Sequence, residues 1–113
     1  MNEDRPEYIL CAANWYDDGR EYPHPPRNIK TGIVVCGRRH HNAMYTAAAL
    51  VGRRWPSLRE IEQDGFMTSR DRWVDRKEAF QIAKAAGQIN WEEVARTGRR
   101  DREGTDLYSE DLY

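Results

Sequence analysis

The sequence predicts an α+β fold, a small antiparallel sheet with two main helices packed on it in a single compact domain. Three observations carry that expectation. Two early runs, "YILCAANWY" and "IKTGIVVCG", are rich in aromatic or β-branched residues, as strands are. Two later stretches, around "AMYTAAALV" and "RKEAFQIAKAA", switch to apolar spacings of three and four, which line one face of a helix. The chain of 113 residues is long enough for one core and little more.

The first strand is expected over residues 8–16. Residues 17–28, "DDGREYPHPPRN", follow as a Pro-rich loop, because three prolines and an Asp-Gly pair cannot continue a ladder. The second strand is expected over 29–37, ending at Gly37 and pairing with the first across this long connection. A helix then opens in "RRHHNAMYTAAALVG", with Met44, Ala47, Ala48 and Val51 on one face and Gly52 as its stop. Its run of alanines suits close packing on a sheet.

In "WPSLREIEQDG", Ser57 stands three residues before Glu60, a capping-box spacing that predicts one or two helical turns closed by Gly65. "FMTS" and "RWV" read as short strands around a turn at Arg70 and Asp71. Asp75, three residues before Glu78, caps a helix over about 76–86, with Ala79, Ile82, Ala83 and Ala86 as its stripe, Phe80 beside it and Gly87 as its end. Asn90 caps a further short helix. Residues 97–106 form a charged loop. The tail 107–113, "LYSEDLY", alternates apolar and acidic residues and is expected to dock on its own domain or on a second subunit. A homo-oligomer suits a domain this small.

Composition narrows the function. Eighteen Lys and Arg against nineteen Asp and Glu give a net charge of −1, so general duplex nucleic-acid binding is not expected. No apolar run spans a membrane, and the acidic, polar start "MNEDRPEY" is not a targeting segment; a cytoplasmic protein is expected. Cys11 and Cys36 lie inside apolar runs, which suits free thiols in a reducing compartment. The sequence has no phosphate-binding Gly-rich motif, no Gly-x-Ser-x-Gly elbow and no zinc framework, so neither cofactor nor metal is expected.

Two stretches carry binding chemistry. In "GRRHH", Arg38, Arg39, His40 and His41 open a helix after a strand, where free N–H groups and the dipole favour an anion such as phosphate. Neighbouring helical residues point about 100° apart, so the two histidines do not suit one metal ion. In "TSRDRWVDR", Thr68, Arg72 and Arg76 surround Trp73, a combination that suits a nucleobase and a phosphate together. The same residues also suit a solvated helix start and a core Trp beside a salt-bridged helix cap. "HPPRN", with His24 and Arg27, is either a preorganised contact loop or a plain connection, and Glu110 with Asp111 is either a carboxylate pair or a solvated tail.

"GFMTSRDRWVDRKEAFQIAKAAGQI" followed by "LYSEDLY" resembles small proteins encoded by bacteriophages and prophages. The likeness lies at Gly37 to His41, Gly65 to Ser69, Trp73 to Ala79, Gly87 to Gln88, and Ser109 to Tyr113. It implies a phage accessory protein acting in the host cytoplasm. By analogy with phage sponges of nucleotide immune signals, it implies non-catalytic sequestration of a small anionic nucleotide-type ligand by Arg38, Arg39, His40, His41, Thr68, Arg72, Trp73 and Arg76. Two alternatives stand beside it. One is a protein-binding inhibitor of a host defence effector or nuclease, using Trp15, Tyr16, Tyr22, the proline loop and the tail. The other is a small enzyme that degrades a nucleotide signal, with His40 or His41 as acid or base.

Overall fold

The computed structural model describes residues 6–97 and 106–113. The chain forms β1 (Ile9–Tyr16), β2 (Ile33–Gly37), α1 (His40–Val51), α2 (Trp55–Glu60), β3 (Glu62–Thr68), β4 (Trp73–Asp75), α3 (Arg76–Ala85) and α4 (Trp91–Thr97). Short 3-10 turns lie at Gly52–Arg54 and Ser109–Asp111. The sheet has the order β2-β1-β3-β4, and each neighbouring pair is antiparallel. This is the expected α+β architecture.

Alternation along β1 divides its side chains between two faces. Ala12 pairs with Gly37 on one side and Phe66 on the other, and Phe66 pairs in turn with Val74. Phe66 and Val74 pack with Ala79, Phe80 and Ala83 of α3, joined by Ile89, Val94 and Leu107. Tyr16 and Val35 pack with Ala43 and Ala47 of α1 and Leu58 of α2. Both main helices therefore cover the same face. The opposite face carries Ala13 and Trp73 beneath Ile29 of the β1–β2 connection, with Trp15, Val34 and Met67 partly buried around them.

Four local expectations are corrected. The second strand starts at Ile33, not at residue 29: Gly32 takes a positive φ of 93°, and Ile29 folds beneath the other face of the sheet. The contact stripe of α1 is Ala43, Ala47 and Val51, while Met44 turns toward Arg59; alanine at the closest positions lets the helix sit near the sheet. Ser57 lies inside α2, whose first turn carries Pro56, and caps nothing. Gly65 is not a helix stop but a residue of β3. A Cβ there would run into the Val74 carbonyl of β4 and lie 2.5 Å from the Trp73 ring.

The remaining caps match the chemistry of their residues. The Asp75 carboxylate accepts from the Glu78 N–H at 2.8 Å and starts α3. Gly87, with φ 71°, ends it, and Gln88 N–H then closes on the Ala83 carbonyl at 2.9 Å. The Gln88 amide both accepts from Ile9 N–H at 2.7 Å and donates to the Ile9 carbonyl at 2.8 Å, filling the place of a strand partner beside the β1 irregularity between Ile9 and Cys11. Asn28 does the same for Trp73, accepting from its N–H at 2.9 Å and donating to its carbonyl. With Arg27 N–H on the Asp71 carbonyl at 2.7 Å, the Pro-rich connection lies along β4. Most of the expected charged loop at 97–106 lies outside the described residues.

Candidate functional site

The two cores on the helical face are separated by a polar seam. Asn14, opposite Val35 and Asp64 in the ladder, is 1% exposed. Its amide donates to the His40 carbonyl at 3.1 Å and faces the Glu62 carboxylate at 3.3 Å. The Tyr16 hydroxyl also donates to Glu62. Burial, with that carboxylate, pushes the phenol well above its usual range. The Asn14 Oδ1 is the buried side-chain atom left without a partner among the described residues.

His40 opens α1 and points into this seam. Its Nε2 lies 2.7 Å from the Gly65 carbonyl, its Nδ1 lies 3.4 Å from an Arg76 guanidinium nitrogen, and its ring stands edge-on to Phe66. A carbonyl can only accept and a guanidinium can only donate. The tautomer consistent with both is the neutral ring, protonated at Nε2. Burial holds the imidazole below its ordinary range; the Gly65 bond opposes that, and the Arg76 charge adds to it.

The tail completes the site. Leu107 N–H donates to the Arg76 carbonyl at 2.9 Å, and the Arg76 guanidinium donates back to the Leu107 carbonyl at 2.8 Å. Arg76 also pairs with Asp64 at 3.2 Å and lies 4.7 Å from the centroid of the Tyr108 ring. Arg39 donates to the Ser109 hydroxyl at 3.1 Å and to the main-chain oxygen of Tyr113. Arg38 and Arg39 both lie over the Tyr113 ring, at 5.6 and 5.0 Å, and the Tyr113 hydroxyl donates to the Arg38 carbonyl at 2.7 Å. Asn90 N–H on the Asp111 carbonyl anchors the far end of the tail. The result is a notch of three guanidinium groups and one neutral imidazole, filled by two phenol rings and main-chain carbonyls.

Arg38, Arg39, His40 and Arg76 are thus brought together by the fold. His41, one residue on, is exposed and stands edge-on to Tyr45. Thr68 and Arg72 form a separate cluster around Glu7. The Thr68 hydroxyl and the Arg72 guanidinium both donate to that carboxylate, and Arg72 also reaches Glu78 at 3.0 Å. The Arg72 bond is the main reason Glu7 is held below the usual carboxylate range. Trp73 is buried on the opposite face, its indole N–H donating to the Ala13 carbonyl at 3.0 Å and its ring 5.1 Å from Trp15.

Tyr16 is 1% exposed and so belongs to no surface shared with Trp15 and Tyr22. Sequence reasoning passed over Asn14, Glu62 and Asp64. The one signal for them is a polar Asn in the middle of an otherwise apolar strand. Among the described residues no three His, Cys, Asp or Glu side chains are grouped to hold a metal ion. None of the described helices is long and apolar enough to cross a membrane.

A family model described as Phage T4 y16D protein matches residues 8–113. None of the curated proteins matches the chain, and no solved structure does.

Proposed function

The chain belongs to the phage T4 y16D protein family, and from that premise we propose that it is a phage accessory protein that captures a small anionic, nucleotide-type ligand without chemically changing it. The stacking of Arg39 on Tyr113 and of Arg76 on Tyr108 carries this reading. A guanidinium plane that holds a phenol ring offers the same face to a nucleobase, and its N–H fork offers the same donors to a phosphate. Under this reading the tail is an internal stand-in: ligand entry displaces Tyr113, Arg39 and Arg76 exchange their carbonyl partners for phosphate oxygens, and Arg38 turns from the Tyr113 ring to the ligand. His41, exposed beside Tyr45, takes no part in it. Thr68 and Arg72, engaged with Glu7, and Trp73, on the opposite face, take no part in it either. The site of action is the host cytoplasm.

Submicromolar capture requires roughly 8 kcal/mol or more of binding free energy. Charge-assisted contacts from two or three arginines plus one stack are of that order. The test incubates the protein with cyclic dinucleotides, cyclic trinucleotides and cyclic ADP-ribose isomers, filters it, heats it and identifies what is released. A ligand that disappears and returns intact is the expected result, and Arg38→Ala with Arg39→Ala abolishes retention while circular dichroism is unchanged. Unchanged retention in that double variant overturns the site. A ligand returned altered makes the protein an enzyme instead.

A second reading is a protein-binding inhibitor, favoured by one observation. Tyr45 and Leu50 of α1 are 66% and 74% exposed, large apolar groups that suit a partner protein or a second copy of this chain. Retention of no small ligand, together with a host protein or a second copy bound in a Tyr45- and Leu50-dependent way, selects it.

A further inference from the structure

Cys11 and Cys36 take no part in the notch, and their placement has its own chemistry. They lie on adjacent antiparallel strands. Ala13 pairs with Cys36 and Ala12 with Gly37, so Cys11, two residues before Ala13, projects from the same face as Cys36 and is its diagonal neighbour. That face is the one without α1 and α3. Cys36 is exposed and Cys11 half-buried. We propose that the pair is a hydroperoxide-reactive dithiol, in which Cys36 is oxidised first and Cys11 resolves it as an intramolecular cross-strand disulfide.

The chemistry balances in two steps. The Cys36 thiolate attacks the terminal oxygen of a hydroperoxide. The O–O bond breaks, the alcohol or water leaves with a proton from solvent, and Cys36 becomes a sulfenic acid. The Cys11 sulfur then attacks the Cys36 sulfur, the S–S bond forms, and the hydroxyl departs as water with the Cys11 proton. Cys36 is suited to the first step because it is the exposed member of the pair and a hydrogen bond from the Cys11 thiol lowers it below the ordinary thiol range. The same contact, aided by burial, pushes Cys11 up, so it stays protonated until Cys36 has reacted. An accessible low-pKa thiol beside a resolving thiol is the arrangement of a redox sensor rather than of a structural staple.

The test treats the reduced native protein with equimolar hydrogen peroxide, quenches with N-ethylmaleimide and reads the intact mass. The expected product is a monomer that has lost two hydrogens and takes up no maleimide. It regains both sites after reduction. In Cys11→Ser, dimedone traps a sulfenic acid at Cys36; in Cys36→Ser, Cys11 stays fully alkylatable. Iodoacetamide labelling of the wild type independently reports Cys36 first, with a rate midpoint below that of an ordinary thiol. Two maleimides on the peroxide-treated protein, or a disulfide joining two chains, overturns the proposal.

Discussion

Arg39 donates to the main-chain oxygen of Tyr113 while its guanidinium lies 5.0 Å from the centroid of the same residue's ring. Two residues 74 positions apart in sequence thus close the notch, and the tail is part of the domain rather than an appendage. Its anchor is Leu107, fully buried in the α3 core. Leu107→Ala is expected to cost about 2–4 kcal/mol through lost burial and a residual cavity. A urea titration checks this: the midpoint falls while the slope holds.

Gly65 and Trp73 form a second exact fit. The Val74 carbonyl and the Trp73 ring together occupy the space a side chain at position 65 needs, so Gly65→Ala forces β4 and the ring aside. The expected loss is roughly 1–3 kcal/mol, as for other overpacked positions. A changed near-ultraviolet Trp signal accompanies a lower melting temperature. An unchanged signal and melting temperature would show that position 65 is not closed by β4 and the ring.

His40 sets a pH dependence. Its folded-state pKa lies below the ordinary 6.5, so the unfolded chain binds that proton more readily. The stability it supports is complete above 6.5 and is lost as pH falls from 6.5 through the lowered folded value. His40→Gln can still donate to the Gly65 carbonyl but does not titrate. Unfolding free energies across this window should slope in the wild type and flatten in the variant.

Glu7 acts in a lower window. Its folded-state pKa lies below 4.5, so its contribution is complete above 4.5 and disappears as pH falls through the lowered value. Glu7→Gln at neutral pH removes a charge-assisted fork to Arg72 and weakens the Thr68 bond. It is expected to cost about 1–3 kcal/mol. Measured below the folded-state pKa, the same substitution should cost much less.

Much of the fold was legible in the chain. The alternation in β1, the Asp75 cap, the Ala79–Phe80–Ala83 stripe and the Gly87 stop are local signals, because capping, periodicity and positive φ act within a few residues. The polar half of β3 was not. "EQDG" has poor strand propensity, and its pairing with Asn14, Trp15 and Tyr16 of β1 overrides that preference.

The candidate site divides in the same way. The residue types at the helix starts could be read along the chain: Arg38 and Arg39 before α1, His40 at its first position, and Arg76 at the start of α3. Their partners came from packing. It placed α1 and α3 on one face so that His40 meets Arg76. It sent Arg72 and Thr68 to Glu7 instead, turned Trp73 to the opposite face, and laid Tyr108 and Tyr113 over the arginines. Caps and strands arise from neighbours along the chain. A guanidinium finds its carboxylate, carbonyl or ring wherever packing brings one within reach, and that distance is fixed in space, not in sequence.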